Sequence, residues 1–167
     1  SLNLGSLEAG ESILCTYDVA APETPFSQFQ FLDNLESGTS AFTISTDLSD
    51  FEWGTSANRV FSGESALFAS DPNEASDQFV RLSDVTDITS STFLSFWQFF
   101  NTETNWDGGV LELSTDGGAN WIDAEPYFTQ NGYNSVINNN PESPISGRAA
   151  WSGSSVTYVQ TLVDLGS

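Results

Sequence analysis

Histidine and lysine are absent from this chain of 167 residues, cysteine occurs once, and the only cationic side chains are Arg59, Arg81 and Arg148. Without histidine there is no Ser-His-Asp triad and no imidazole metal ligand; without lysine there is no Schiff-base amine and no P-loop. Cys15 has no second thiol, which excludes an intrachain disulfide and a cysteine metal cluster. Lacking a histidine or basic neighbour to make it a thiolate, it reads as a small apolar residue in a strand. No apolar run approaches the roughly 18 residues of a membrane helix, so no membrane insertion is expected. No charged segment followed by an apolar one opens the chain, and the expectation is a secretion signal already removed from a piece of a longer protein.

What is abundant is acid: 23 Asp and Glu give a formal net charge of -20. Such a field repels nucleic acid and anionic membranes, so neither is an expected partner. The self-repulsion is tolerable in saline surroundings, where the Debye length falls to about 3 Å near 1 M salt, or where bound Ca²⁺ neutralises part of the carboxylate excess. Both readings point to an extracellular or cell-surface location. The 13 Phe, 5 Trp and 4 Tyr supply ample apolar area for one sizeable core.

The clearest local pattern is a hairpin. Val110 to Ser114 alternates, Asp116-Gly117-Gly118 supplies residues that tolerate positive φ, and Trp121 opens the return strand. Ser114-x-Asp116-x-Gly118-x-x-Trp121 also matches the Asp-box, a structural turn in which the acid accepts turn amides above a packed indole. Helical periodicity is nearly absent elsewhere, whereas alternation interrupted by polar, Gly- and Asn-rich stretches recurs about every ten residues. The predicted class is therefore all-β, an antiparallel β-sandwich of jelly-roll type. Predicted strands cover Ser1 to Leu7, Ile13 to Val19, Gln28 to Leu32, Ala41 to Thr46, Ala66 to Ala69, Gln78 to Leu82, Thr92 to Phe99, Val110 to Ser114, Trp121 to Ala124 and Thr157 to Val163. Phe93 to Phe100, apolar on both faces apart from Ser95 and Gln98, reads as a central strand covered on both sides. Residues 1–20 read as terminal strands of a preceding domain or as a donor strand, 21–27 with two prolines as a linker, and 28–167 as the sandwich. Phe128 to Gly153 reads as a long, packed, functional loop.

Several short runs occur in a familiar order: Leu32-Asp33-Asn34-Leu35-Glu36-Ser37-Gly38, Ser62-Gly63-Glu64-Ser65-Ala66-Leu67, Phe93-Leu94-Ser95-Phe96-Trp97, the hairpin, Phe128 to Asn134, Ile145 to Gly153 and Val163-Asp164-Leu165. Residues 29–165 thereby resemble the jelly-roll accessory domain, related to MAM and concanavalin-like sandwiches, of bacterial secreted proteases of the immune-inhibitor-A type and of large surface proteins. Leu4 to Val19 resembles the close of a bacterial surface immunoglobulin-like repeat. The resemblance implies a non-catalytic module. It also implies one or two further core strands beyond Leu165. A sandwich without them exposes a backbone edge and a groove, open to residues 1–20 in cis or to a neighbouring copy. Alternatively the chain is part of a longer polypeptide that supplies those strands.

Calcium is the expected use for the acids, since it takes six to eight oxygens that loops at one end of a sandwich can collect. The resemblance points to Asp33 and Glu36; spacing alone adds Asp71 with Asp77 and Glu103 with Asp107. A glycosidase pair of Glu103 with Asp107 or Glu112 is disfavoured, because 23 carboxylates make such pairings by chance. Trp106, Tyr133 and Trp151, in Gly- and Asn-rich loops, are the candidates for stacking on glycans, against the alternative of core packing. The expected function is structural, adhesive or targeting, with other domains of the same surface protein or neighbouring copies as partners through strand pairing. The alternatives are a filament or sheath subunit joined by strand exchange and a carbohydrate-binding module.

Overall fold

A computed structural model describes residues 31, 33–82 and 88–166; all but Phe31 belong to the unit Leu32–Ser167. The strands expected at Ser1 to Leu7 and Ile13 to Val19, the linker, Cys15 and the donor segment lie outside the described residues, as does all but Phe31 of Gln28 to Leu32.

Alternation of short polar and branched or aromatic residues makes the described part all-β. In chain order the strands are β1 Phe42–Asp47, β2 Gly54–Ser56, β3 Ala66–Phe68, β4 Asp77–Leu82, β5 Phe93–Gln98, β6 Glu112–Leu113, β7 Ile122–Asp123, β8 Phe128–Gln130, β9 Ser135–Val136, β10 Ala149–Ala150 and β11 Val159–Asp164. All pair antiparallel, as β1 with β4, β2 with β3, β6 with β7, β9 with β10, and β5-β11-β8 as a three-stranded sheet. One 3-10 turn, Glu125–Tyr127, begins with Pro126 in its first turn, where a missing N–H costs nothing.

The core sits under the β5-β11-β8 sheet. Register places Leu94 opposite Val163 and Phe96 opposite Thr161 on one face. Val163 and Thr161 are fully buried, and the Thr161 hydroxyl is satisfied by Gln98 Nε2 at 2.7 Å and by donation to Asn131 O at 3.0 Å. Trp151 fills the space below, edge-on to Phe96, Phe128 and Tyr133 at centroid distances of 5.9, 5.3 and 4.8 Å. Its indole N–H donates to Gly132 O at 2.8 Å.

The turn after β6 takes the Asp-box form. Ser114 Oγ accepts from Gly118 N and donates to Asp116 Oδ1, both at 2.8 Å, and Asp116 accepts from Asn120 N at 2.8 Å. Trp121 Nε1 closes the turn on Gly118 O. Gly117 and Gly118 have φ of 73° and 88°, the left-handed region expected for this reversal.

Two expectations are corrected. β5 is not a strand covered on both sides: it forms one edge of its sheet among the described residues, and its burial alternates, with Phe93, Ser95 and Trp97 exposed. Full apolarity therefore does not reflect full burial here. Phe128 to Gly153 is not a loop throughout, since it contains β8, β9 and β10, strands too short for periodicity to register. β2 was likewise invisible in the sequence pattern.

Val156 is 79% exposed yet sits at φ 64°, a region unfavourable for a β-branched residue. Val156→Gly should raise stability by about 1 kcal/mol, read as a shift in the denaturation midpoint.

Candidate functional site

The end of the domain built by residues 102–109 and 131–153 gathers most of the candidate residues. Its geometry follows from short polar side chains replacing ladder bonds. Ser152, 2% exposed, donates from Oγ to Asp107 O at 2.7 Å and accepts from Asn105 N at 2.8 Å. Asn134 brackets the same residue, accepting from Ser152 N and donating to Ser152 O, both at 2.9 Å. Ser135 Oγ and Asn105 Oδ1 form a further short bond. Gly109 and Trp151 exchange both backbone bonds at 3.0 Å. Gly108 is required beside them, since a Cβ there would lie 2.8 Å from Trp151 O. Asn105 at φ 65° completes the Glu103–Asp107 turn, closed by Trp106 N and Asp107 N donating to Glu103 O.

This turn presents Glu103 and Asp107 to solvent, and Asp71 approaches from another loop. The Asp107 carboxyl is pushed above its ordinary value by partial burial and then by the charges of Asp71 and Glu103. Asp77 belongs to a different group. It faces Asp47 across β1 and β4, and burial, then Asp47 and Glu112, push its carboxyl up. Asp33 and Glu36 form a third group with local duties. Asp33 Oδ1 accepts from Leu35 N at 2.6 Å, and Glu36 Oε1 accepts from Glu64 N and Ser65 N at 2.9 and 3.2 Å. Gly63 makes room for that carboxylate: a Cβ there would come within 2.3 Å of Glu36 Oε1. The six predicted calcium ligands are thus divided among three places. Among the described residues no three carboxylates converge as a ready metal cage.

The aromatic candidates separate as well. Trp151, 6% exposed with its N–H engaged, is core packing and leaves no face for a ligand. Tyr133 is half-buried, and its hydroxyl accepts from Leu111 N at 2.8 Å and donates to Leu111 O at 3.1 Å. Burial, outweighing the hydrogen bond to Leu111, holds its phenol well above the usual tyrosine range. Trp106 alone is exposed, so the three do not make a shared platform. Tyr133 does line an open hollow with Glu125, Phe128 and Gln130.

Sequence reasoning missed Arg148, which bridges Glu112 at 2.8 Å and Asp123 at 2.7 Å across β6 and β7. Both carboxylates raise its affinity for the proton against the effect of burial. Scarcity was the available signal, since an acidic chain with three cations uses each for a specific contact. Arg59 lies 3.9 Å over the Phe99 ring and Arg81 lies over Phe79 and Trp121. Compared with known proteins, the chain matches no family model, no curated protein and no solved structure. Among the described residues no helix is long and apolar enough to cross a membrane.

Tyr133→Phe should cost about 1–3 kcal/mol in chemical denaturation, because the Leu111 N–H loses its acceptor in a part-buried place. The acids give stability a two-sided pH dependence. Asp77 and Asp107 have folded values above 3.8, so their contribution is complete below 3.8 and is lost as pH rises through the folded values. Asp116, held down to about 2 by its bonds to Asn120 and Ser114, contributes fully above 3.8 and loses this as pH falls toward about 2. The melting temperature should therefore rise on mild acidification and fall again in strong acid. The rise should shrink in Asp77→Asn and in Asp107→Asn.

Proposed function

We propose that this chain is a non-catalytic module of a secreted or cell-surface protein, a β-sandwich of jelly-roll type with structural or adhesive work, stabilised by calcium. The observation that carries the reading is how the reactive side chains are spent. Arg148 is tied to Glu112 and Asp123, the Tyr133 hydroxyl to the Leu111 backbone, and Ser152 to the Glu103–Asp107 turn. Each of these groups holds a loop or hairpin, and the sequence contains no histidine or lysine to act as a base or amine nucleophile. The antiparallel all-β frame and the net charge of -20 support a module built for saline, extracellular surroundings.

Calcium fits the Glu103–Asp107 turn with Asp71 better than the other acidic places. Asp33 and Glu36 are already accepting backbone bonds, whereas Asp107 lies in the field of the Asp71 and Glu103 charges, which a divalent cation would relieve. The ion would supply charge neutralisation and cross-linking of two loops. Adding Ca²⁺ should raise the melting temperature of the chain by several degrees relative to EDTA, and Asp107→Asn should reduce the difference. An identical melting temperature in both conditions removes calcium from the reading.

A further inference from the structure

The most exposed apolar feature of the sheet is its β5 edge. β11 pairs with one side of Phe93–Gln98 in unbroken register over its whole length, and no described strand pairs with the other. Half of its backbone N–H and C=O groups therefore point away from β11. Soluble proteins protect such edges with charges, prolines, bulges or very short strands. The opposite edge, β8, is three residues long and its pairing with β11 shifts register between Leu162 and Val163. β5 has none of these devices: Phe-Leu-Ser-Phe-Trp-Gln contains no charge, no proline and no glycine, in a chain with 26 charged residues (23 acidic and 3 basic). Its outward face carries Phe93 at 60% and Trp97 at 45% exposure, and Phe61 stacks on Trp97 with centroids 4.0 Å apart.

We propose that this edge is a self-association surface on which β5 of a second copy adds antiparallel, joining two three-stranded sheets across a two-fold axis at Ser95. The sequence is self-complementary in that register. Phe93 meets the second copy's Trp97 on the outward face, Leu94 meets its Phe96 on the inward face, and Ser95 meets Ser95. A shift by one residue places outward rings on the inward face. Centring on Phe96 instead sets Gln98 against Leu94 and Ser95 against Trp97, and leaves Phe93 without a partner inside β5. Aromatic cross-strand pairs stabilise a sheet, and an isologous contact of this kind closes as a dimer. The charge of -20 on each copy opposes the approach, so association depends on screening. The inference is independent of the calcium and adhesive readings.

Sedimentation velocity on the full chain tests it. The chain should sediment as one copy at about 0.01 M salt, where the Debye length is about 30 Å, and shift to two copies at about 1 M, where it is about 3 Å. Ser95→Lys and Ser95→Glu place like charges opposite each other at the axis, and each alone should lose the two-copy species. An equimolar mixture of the two variants should restore it. Ser95 is exposed and its hydroxyl accepts one exposed hydrogen bond, from Gln160 Nε2 at 3.0 Å, so circular dichroism melting of both variants should stay within a few degrees of the parent chain and of each other. A single-copy species at every salt concentration overturns the proposal, as it assigns the edge to another occupant. Dimerisation that survives either substitution, or a mixture that fails to restore it, overturns it too.

Discussion

The exchange of backbone hydrogen bonds between Gly109 and Trp151, with Ser152 beside it, is the contact on which the rest of this end of the molecule depends. Trp151 turns inward beneath the β5-β11-β8 sheet while Ser152 ties the Glu103–Asp107 turn and Asn134 to the same two-residue segment. Apolar burial and polar satisfaction thus meet in adjacent residues. A buried indole needs an acceptor for its N–H, and Gly132 supplies it from the stretch that Asn134 holds in place. Loop and core are consequently one cooperative unit, which explains how so few fully buried apolar residues organise so much irregular chain.

Charge imposes the second constraint. With 23 acids and three arginines, ion pairs cannot be the general means of holding loops. Hydroxyl and amide side chains take that role, at Ser114, Asn105, Asn134, Ser135 and Ser152, and carboxylates cap backbone N–H groups, as at Asp33, Glu36 and Asp116. Such neutral and charge-assisted bonds survive high salt better than exposed ion pairs do. Among the described residues Arg148 is the exception, joining two acids at once across the two-residue strands of the β6-β7 hairpin. Repulsion is left in the fold at two places, where the charges of Asp71 and Glu103 act on Asp107 and where Asp47 faces Asp77.

How much of this was legible in the sequence varies by element. The expected segments at Ala41 to Thr46, Ala66 to Ala69, Gln78 to Leu82, Thr92 to Phe99 and Thr157 to Val163 all contain strands, because six-residue alternation or an apolar run leaves a clear trace. The Asp-box turn was legible down to its acceptor, because local side-chain to backbone bonds depend on spacing of two to four residues alone. β9 and β10 left no trace, since two residues have no period. The candidate site was less legible. Glu103 and Asp107 share a turn as spacing implied, but the charge of Asp71 acts on Asp107 from a loop distant in sequence, while Asp77 answers to Asp47 and Glu112 instead.

The sequence by itself determined the all-β class, the excluded chemistries and the tight turns, because composition and short-range hydrogen bonding need no partner from elsewhere in the chain. Only the tertiary structure decided burial. Trp106 and Trp151 lie in similar Gly- and Asn-rich surroundings, yet one is exposed and the other is core, because Gly108 lets the chain close on Trp151 and Gly132 O accepts its indole N–H. β5 is apolar throughout but open along one edge among the described residues, because strand order is set by β11 and β8 rather than by β5 itself. A residue's own type states what it prefers to bury; which residues obtain that burial depends on where the rest of the chain crosses.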